Sequence, residues 1–194
     1  MVQPVPKRPS PSELRAAYGK AIPDLIAPGL DVLFVGINPS LWSGAVGLHF
    51  ARPGNRFWRA LHEAGFTDRL LSPYDGRELL KRRIGVTNLV NRATASADEL
   101  DIADYERGAR RIATKVRRYR PKNVAFVGMG AYRVAFGRPR AFGGRQEQRL
   151  AGADVWVLPN PSGRTAGYQM PALARAFREL RESLSSGTLS GPGR

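Results

Sequence analysis

Two Asn-Pro pairs, each placed just after a short apolar run, are the residues in this sequence best suited to chemistry. The run Val32–Gly36 (VLFVG) gives way to Ile37-Asn38-Pro39. The run Val155–Pro159 (VWVLP) gives way to Asn160-Pro161-Ser162-Gly163-Arg164. Proline disfavours the α region for the residue before it, so Pro39 should hold Asn38 on a rigid turn. An amide both donates and accepts hydrogen bonds, and can fix a water molecule in line for attack. It cannot titrate, so Asn38 cannot by itself be a base. In the second turn, Ser162 and Gly163 can offer backbone N–H groups to a phosphate, and Arg164 can reach into a groove. Either turn alone also fits an ordinary Asx-Pro turn. Two of them at one sheet edge favour a paired clamp.

Two further segments add candidates. Ser40–Asn55 is long and Gly-rich and carries Trp42 and Phe50. Loops of that length in compact domains are usually functional. Phe50 could stack on a planar ring, or simply plug the loop onto the core, and the residues leave both open. In Asn91–Leu100 (NRATASADEL), Asp98 could assist a water. Ser96-x-x-Glu99 is also a capping box, which gives Asp98 the competing role of a first-turn acid.

These residues need a frame. Val32–Gly36, Gly85–Val90, Val124–Gly128 and Val155–Pro159 read as strands buried on both faces. Asn55–Ala64, Ile102–Tyr119 and Pro171–Leu184 carry apolar residues at helical spacing. This alternation implies an α/β fold with helices on both faces of a short, mostly parallel sheet. In such sheets ligands bind beyond the carboxyl ends of the strands, which is where both Asn-Pro turns fall. Gly128-Met129-Gly130 (GMG) lacks the spacing and acidic partner of a dinucleotide site.

Composition narrows the function classes. The 194 residues suit one domain, expected over 13–184, with a basic tail at 1–12 and a loose tail at 185–194. With no cysteine, disulfides, thiol nucleophiles and cysteine-held iron–sulfur clusters are excluded. Two histidines, without a carboxylate cluster beside them, make a metal site unexpected. No apolar run reaches the roughly 20 residues of a membrane helix, and the first residues lack a signal-peptide pattern. Lysine and arginine number 31 against 16 acidic residues, a formal charge of +15, which suits a polyanionic partner. Seven of these cations lie in or just after 102–119, where a solvated face is the plainer reading.

Taken in order, GINPS, ARPGNRFW, GVTNLVNRAT and VWVLPNPSG resemble the mismatch-specific uracil/thymine-DNA glycosylase family from about Val32 to Leu184. The resemblance implies a three-layer α/β/α sandwich that flips uracil out of duplex DNA, G·U mispairs above all, and hydrolyses its glycosidic bond. Asn38 matches the water-positioning asparagine, with Asp98 a further catalytic candidate. Phe50 matches the aromatic that stacks on the base, and the main chain at Ile37 and Phe50 the part that reads its edge. Gly36, Ser43 and Asn160 complete the substrate set. Ser162, Gly163, Arg164 and Thr165 match the loop that holds DNA. No metal or cofactor is implied, and a monomer in the cytoplasm, at the nucleoid of a prokaryote, is expected. Two departures stand out: Ser40 where the family has Gly, and Arg164 where a Leu wedge is common. A non-catalytic nucleic-acid-binding module and a hydrolase of free nucleosides are the alternatives. Asn38-Pro39 with the Phe50 loop argues against the first, and the charge against the second.

Overall fold

The computed structural model describes residues 8–163 and 169–186. In chain order its elements are α1 (Pro11–Ala16), β1 (Val32–Gly36), α2 (Leu41–Val46), α3 (Phe57–Glu63), α4 (Glu78–Lys81), β2 (Ile84–Asn88), α5 (Ile102–Tyr119), β3 (Asn123–Val127), α6 (Met129–Ala135), β4 (Gly144–Arg145), β5 (Asp154–Leu158) and α7 (Met170–Ser186). The strands form one sheet in the order β2-β1-β3-β5-β4, parallel except for the edge strand β4.

Side chains on a strand alternate between faces, and β1 shows what this does. Val32 and Phe34 join the layer formed with α3 and α7, where Phe34 meets Phe57 edge-on at 5.5 Å and stacks on Phe177 at 5.7 Å. Leu33 and Val35 enter the opposite layer with Ile112 and Val116 of α5 and Tyr132 of α6. The result is the expected three-layer sandwich.

Several details differ from the sequence reading. The Ser40–Asn55 segment is not all loop. Ser40 caps α2, its Oγ accepting from Ser43 N–H at 3.1 Å, so the residue that departs from the family pattern starts a helix. α3 begins at Phe57 rather than Asn55, because Asn55 Oδ1 is used to accept the Phe57 N–H at 3.0 Å. β2 ends at Asn88, although Leu89 and Val90 still donate to Gly36 O and Ile37 O, both at 2.8 Å. The expected tail at 1–12 overlaps α1, because Ser10 and Glu13 close a capping box around Pro11. α7 continues through residues 185 and 186, which were expected to be tail.

The basic run of α5 is only partly a solvated face. Arg111 donates to Leu89 O at 2.6 Å, and Lys115 pairs with Asp24 at 2.5 Å and with Thr87 Oγ1 at 2.9 Å. These cations fasten the helix beneath the carboxyl end of β2. Asp104, in the first turn, bonds Arg92 at 2.6 Å and Arg107 at 2.8 Å. The Arg92 guanidinium holds its carboxyl down at about 2. This link ties the 91–100 loop to α5.

Candidate active site

The carboxyl ends of β1, β2, β3 and β5 open onto a cavity of about 380 Å³. Asn38, Ile37, Ser43, Phe50, Asp98, Asn160 and Ser162 all line it, so residues far apart in the sequence share one wall. Although β3 separates β1 from β5, both Asn-Pro turns reach the cavity.

The neighbours of Asn38 decide how its amide lies. Asn38 Nδ2 donates to Pro39 O at 3.3 Å, Arg92 O at 3.1 Å and Thr94 Oγ1 at 2.7 Å. Thr94 gives its own proton to Ser96 O at 2.7 Å, so toward Asn38 it acts as an acceptor. Three acceptors around one end of an amide fix the nitrogen there. The oxygen Oδ1 is then the group left for the cavity, able to accept a hydrogen bond from water. Asp98 is exposed on the same lining and accepts from Ser96 Oγ at 2.8 Å. The capping box at Ser96 and Glu99 is also formed, so Asp98 reaches the cavity from a capped turn.

Phe50 packs onto the core and at the same time reaches the cavity. Its ring stacks on Phe57 at 4.0 Å and 20°, and it also lines the cavity. Its φ is +52°, a left-handed conformation that a bulky residue holds only when its surroundings enforce it. Ser43 supplies part of that enforcement: its buried Oγ accepts from Ala51 N–H at 3.2 Å and from Ser40 Oγ at 3.3 Å. Gly36 supplies the space. A Cβ there would lie 2.6 Å from Asn88 Oδ1 and 3.0 Å from the Phe50 ring.

Asn88 and His49 form a buried pair behind this wall, 4% and 3% exposed. His49 Nε2 lies 3.0 Å from Pro23 O, and a carbonyl can only accept, so Nε2 carries the proton. Nδ1 then accepts from Asn88 Nδ2 at 3.3 Å. Burial pushes the imidazole down to about 4, against partial opposition from the Pro23 carbonyl and Asp24. The neutral ring therefore holds the Asn88 amide in one orientation.

At the second turn, Asn160 Oδ1 accepts from Ser162 N–H at 2.9 Å. Arg56 anchors the turn: its N–H and Nε donate to Pro161 O at 3.0 and 3.3 Å, and Nη2 donates to Ser162 O at 2.8 Å. Gly163 packs against the PGN turn so closely that a Cβ would sit 2.8 Å from Gly54 O. Arg164 and Thr165 lie outside the described residues.

A strand-end cavity with a fixed amide, a stacked aromatic and an anchored Asn-Pro-Ser-Gly turn suits a planar base with a phosphate beside it. The family comparison agrees. The model of the uracil DNA glycosylase superfamily matches residues 23–184. The chain belongs to that superfamily. Among solved structures, the solution NMR structure of a uracil DNA glycosylase candidate from Methanosarcina acetivorans is similar in fold. It has a TM-score of 0.54 at 20% identity, over 84% of this chain and 98% of that one.

Within this superfamily member, sequence reasoning missed Asn88, His49 and Arg56. Asn88 lay inside a quoted motif, but a polar residue in an apolar strand reveals its purpose only through a distant partner. Arg56 also lay in a quoted motif, and its basic side chain was its only signal. The paired His49 has a measurable consequence. A histidine kept neutral when folded costs stability wherever the unfolded chain would protonate it. His49 should therefore leave stability at its full value above pH 6.5 and erode it progressively down to pH 4, by roughly 3 kcal/mol. Urea titrations across that range should show the loss. His49→Gln should flatten the curve, and equal slopes for both proteins would refute the neutral assignment.

Proposed function

We propose that this chain removes uracil from duplex DNA by hydrolysis, with G·U mispairs preferred, leaving an abasic site. The observation that carries the reading is the Asn38 amide, its nitrogen tied to three acceptors and its oxygen left for the cavity. An acceptor fixed in this way can hold a water in line for attack.

A stacked base cannot be reached, so it is extruded into a pocket at a cost of a few kcal/mol, less from a mispair. Here the flipped ring stacks on Phe50. Asn88 presents an amide edge to it, accepting from a pyrimidine N–H. As the glycosidic bond breaks, the sugar becomes cation-like and uracil leaves as an anion. Water held by Asn38 Oδ1 adds to C1′, and Asp98 stands on the same lining as an acceptor for its proton. Water is the nucleophile throughout, and no lysine adduct is formed.

Single-turnover rates on uracil opposite guanine and opposite adenine test the substrate preference. The G·U rate should be higher. An A·U rate equal to it would remove the mispair from the proposal. Phe50→Ala should lower excision roughly fivefold to a hundredfold, in line with base–aromatic stacking. A folded variant excising at the wild-type rate would leave Phe50 with its packing role only.

A further inference from the structure

Segment 138–145 stands apart from everything assigned so far. It leads into β4, which runs antiparallel to β5 with Gly144 opposite Val157. The residues just before Gly144 therefore leave the sheet at the carboxyl end of β5, the edge that carries Asn160. A Cβ at Gly143 would lie 3.7 Å from Met129 at the start of α6, which confirms the level.

This segment is built rather than loose. Arg133 grips Ala141 O with Nε at 3.0 Å and Nη2 at 2.7 Å. The buried Gln146 amide donates to Phe142 O at 2.9 Å and to Gly144 O at 3.0 Å. Between these clamps Phe142 is 59% exposed, although a phenylalanine gains by burial. Arg138 and Arg140 are exposed beside it and pair with no carboxylate among the described residues. Arg145, by contrast, is held by Asp154 at 2.9 Å. A fixed, exposed aromatic between two available guanidinium groups has the chemistry of a duplex contact, in which the apolar ring packs into the groove at a base step and the cations meet phosphates.

The geometry points to a second DNA-docking element: Phe142 with Arg138 and Arg140 binds the duplex on one flank of the flipped nucleotide. β4 lies three strand spacings from β1, roughly 14 Å, which is about four base-pair steps along a duplex. The element therefore contacts DNA beyond the lesion rather than the extruded base. This inference rests on the proposed action on duplex DNA.

Anisotropy with a duplex carrying 2′-fluoro-2′-deoxyuridine, which resists cleavage, tests it. The duplex extends a full helical turn on each side of the lesion. Phe142→Ala should weaken binding about tenfold, and Phe142→Trp, which keeps a large apolar ring, should restore it. Arg138→Ala with Arg140→Ala should reduce the slope of log affinity against log salt by about 2, whereas Phe142→Ala leaves the slope unchanged. Trimming one flank to its last base pairs should abolish the difference between Phe142→Ala and wild type, and trimming the other should not.

Equal affinities of wild type and Phe142→Ala on the long duplex would overturn the inference. So would a difference that survives trimming of either flank. Self-association of the wild type that is lost in Phe142→Ala, with DNA affinity unchanged, would assign the ring to a protein contact instead. If the wild type itself neither binds the duplex nor releases uracil from its cleavable counterpart, the proposed function fails first, which separates the two failures.

Discussion

Asn38→Ala should lower single-turnover uracil excision by at least about a hundredfold while changing duplex affinity less than about threefold. The size follows from what one fixed polar group aimed at a transition state is worth, about 10²–10³ in rate. The split follows from position. The Asn38 amide carries no charge to attract a phosphate, and its nitrogen is already committed to Pro39 O, Arg92 O and Thr94 Oγ1. Removing it takes away an interaction made as the water attacks, which lowers the chemical step rather than binding. Asn38→Asp makes the test sharper. A carboxylate has no donor for the same three acceptors, so the side chain must leave its place. Asn38→Ala excising within threefold of wild type would remove Asn38 from the mechanism.

Gly36→Ala should cost a comparable amount through geometry alone. The new methyl would fall 2.6 Å from Asn88 Oδ1 and 3.0 Å from the Phe50 ring, so something must move. Phe50 has little freedom, because its ring lies on Phe57 and its backbone is held at φ +52°. Asn88 is tied to His49. The displacement therefore falls on two groups that face the cavity, and a shift near 1 Å in positioning groups costs about a hundredfold in rate. The fold should survive, since the collision is at the cavity end of β1, where the partly buried Phe50 lies at the margin of the α3/α7 layer. A crystal structure of the variant with Phe50 and Asn88 unmoved, or excision at the wild-type rate, would contradict this account of the wall.

β1, β3 and β5 were legible because each is a largely apolar run buried on both faces by the two helical layers, whereas β2 carries Thr87 and Asn88 and reads more weakly. α5 was legible to the residue, since Asp101 caps it and Arg120 ends it in a left-handed turn. β4 was not: Gly144 and Arg145 show no alternation, and only the pairing with Val157 and Trp156 makes them a strand. α2 was hidden by its glycine and by a loop long enough to look irregular throughout.

At the site, Asn38 announced itself through the proline after it. The orientation of its amide did not, because that depends on Thr94 and Arg92, more than fifty residues later in the chain. Arg56 was illegible for the same reason: the carbonyls it holds belong to Pro161 and Ser162. Asp98 shows a limit of a different kind. Its segment satisfies the capping box and reaches the cavity at once, so neither sequence reading displaced the other.

The central claim is that water, positioned by Asn38, hydrolyses the bond between uracil and its sugar. The most direct measurement is mass-spectrometric detection of free uracil and of the abasic strand after incubating the protein with a uracil-containing duplex in chelator. The account predicts the two products in equal amounts, formed by the wild type and nearly absent with Asn38→Ala. A duplex that is bound but returned intact would contradict it, and would leave a DNA-binding module in place of an enzyme.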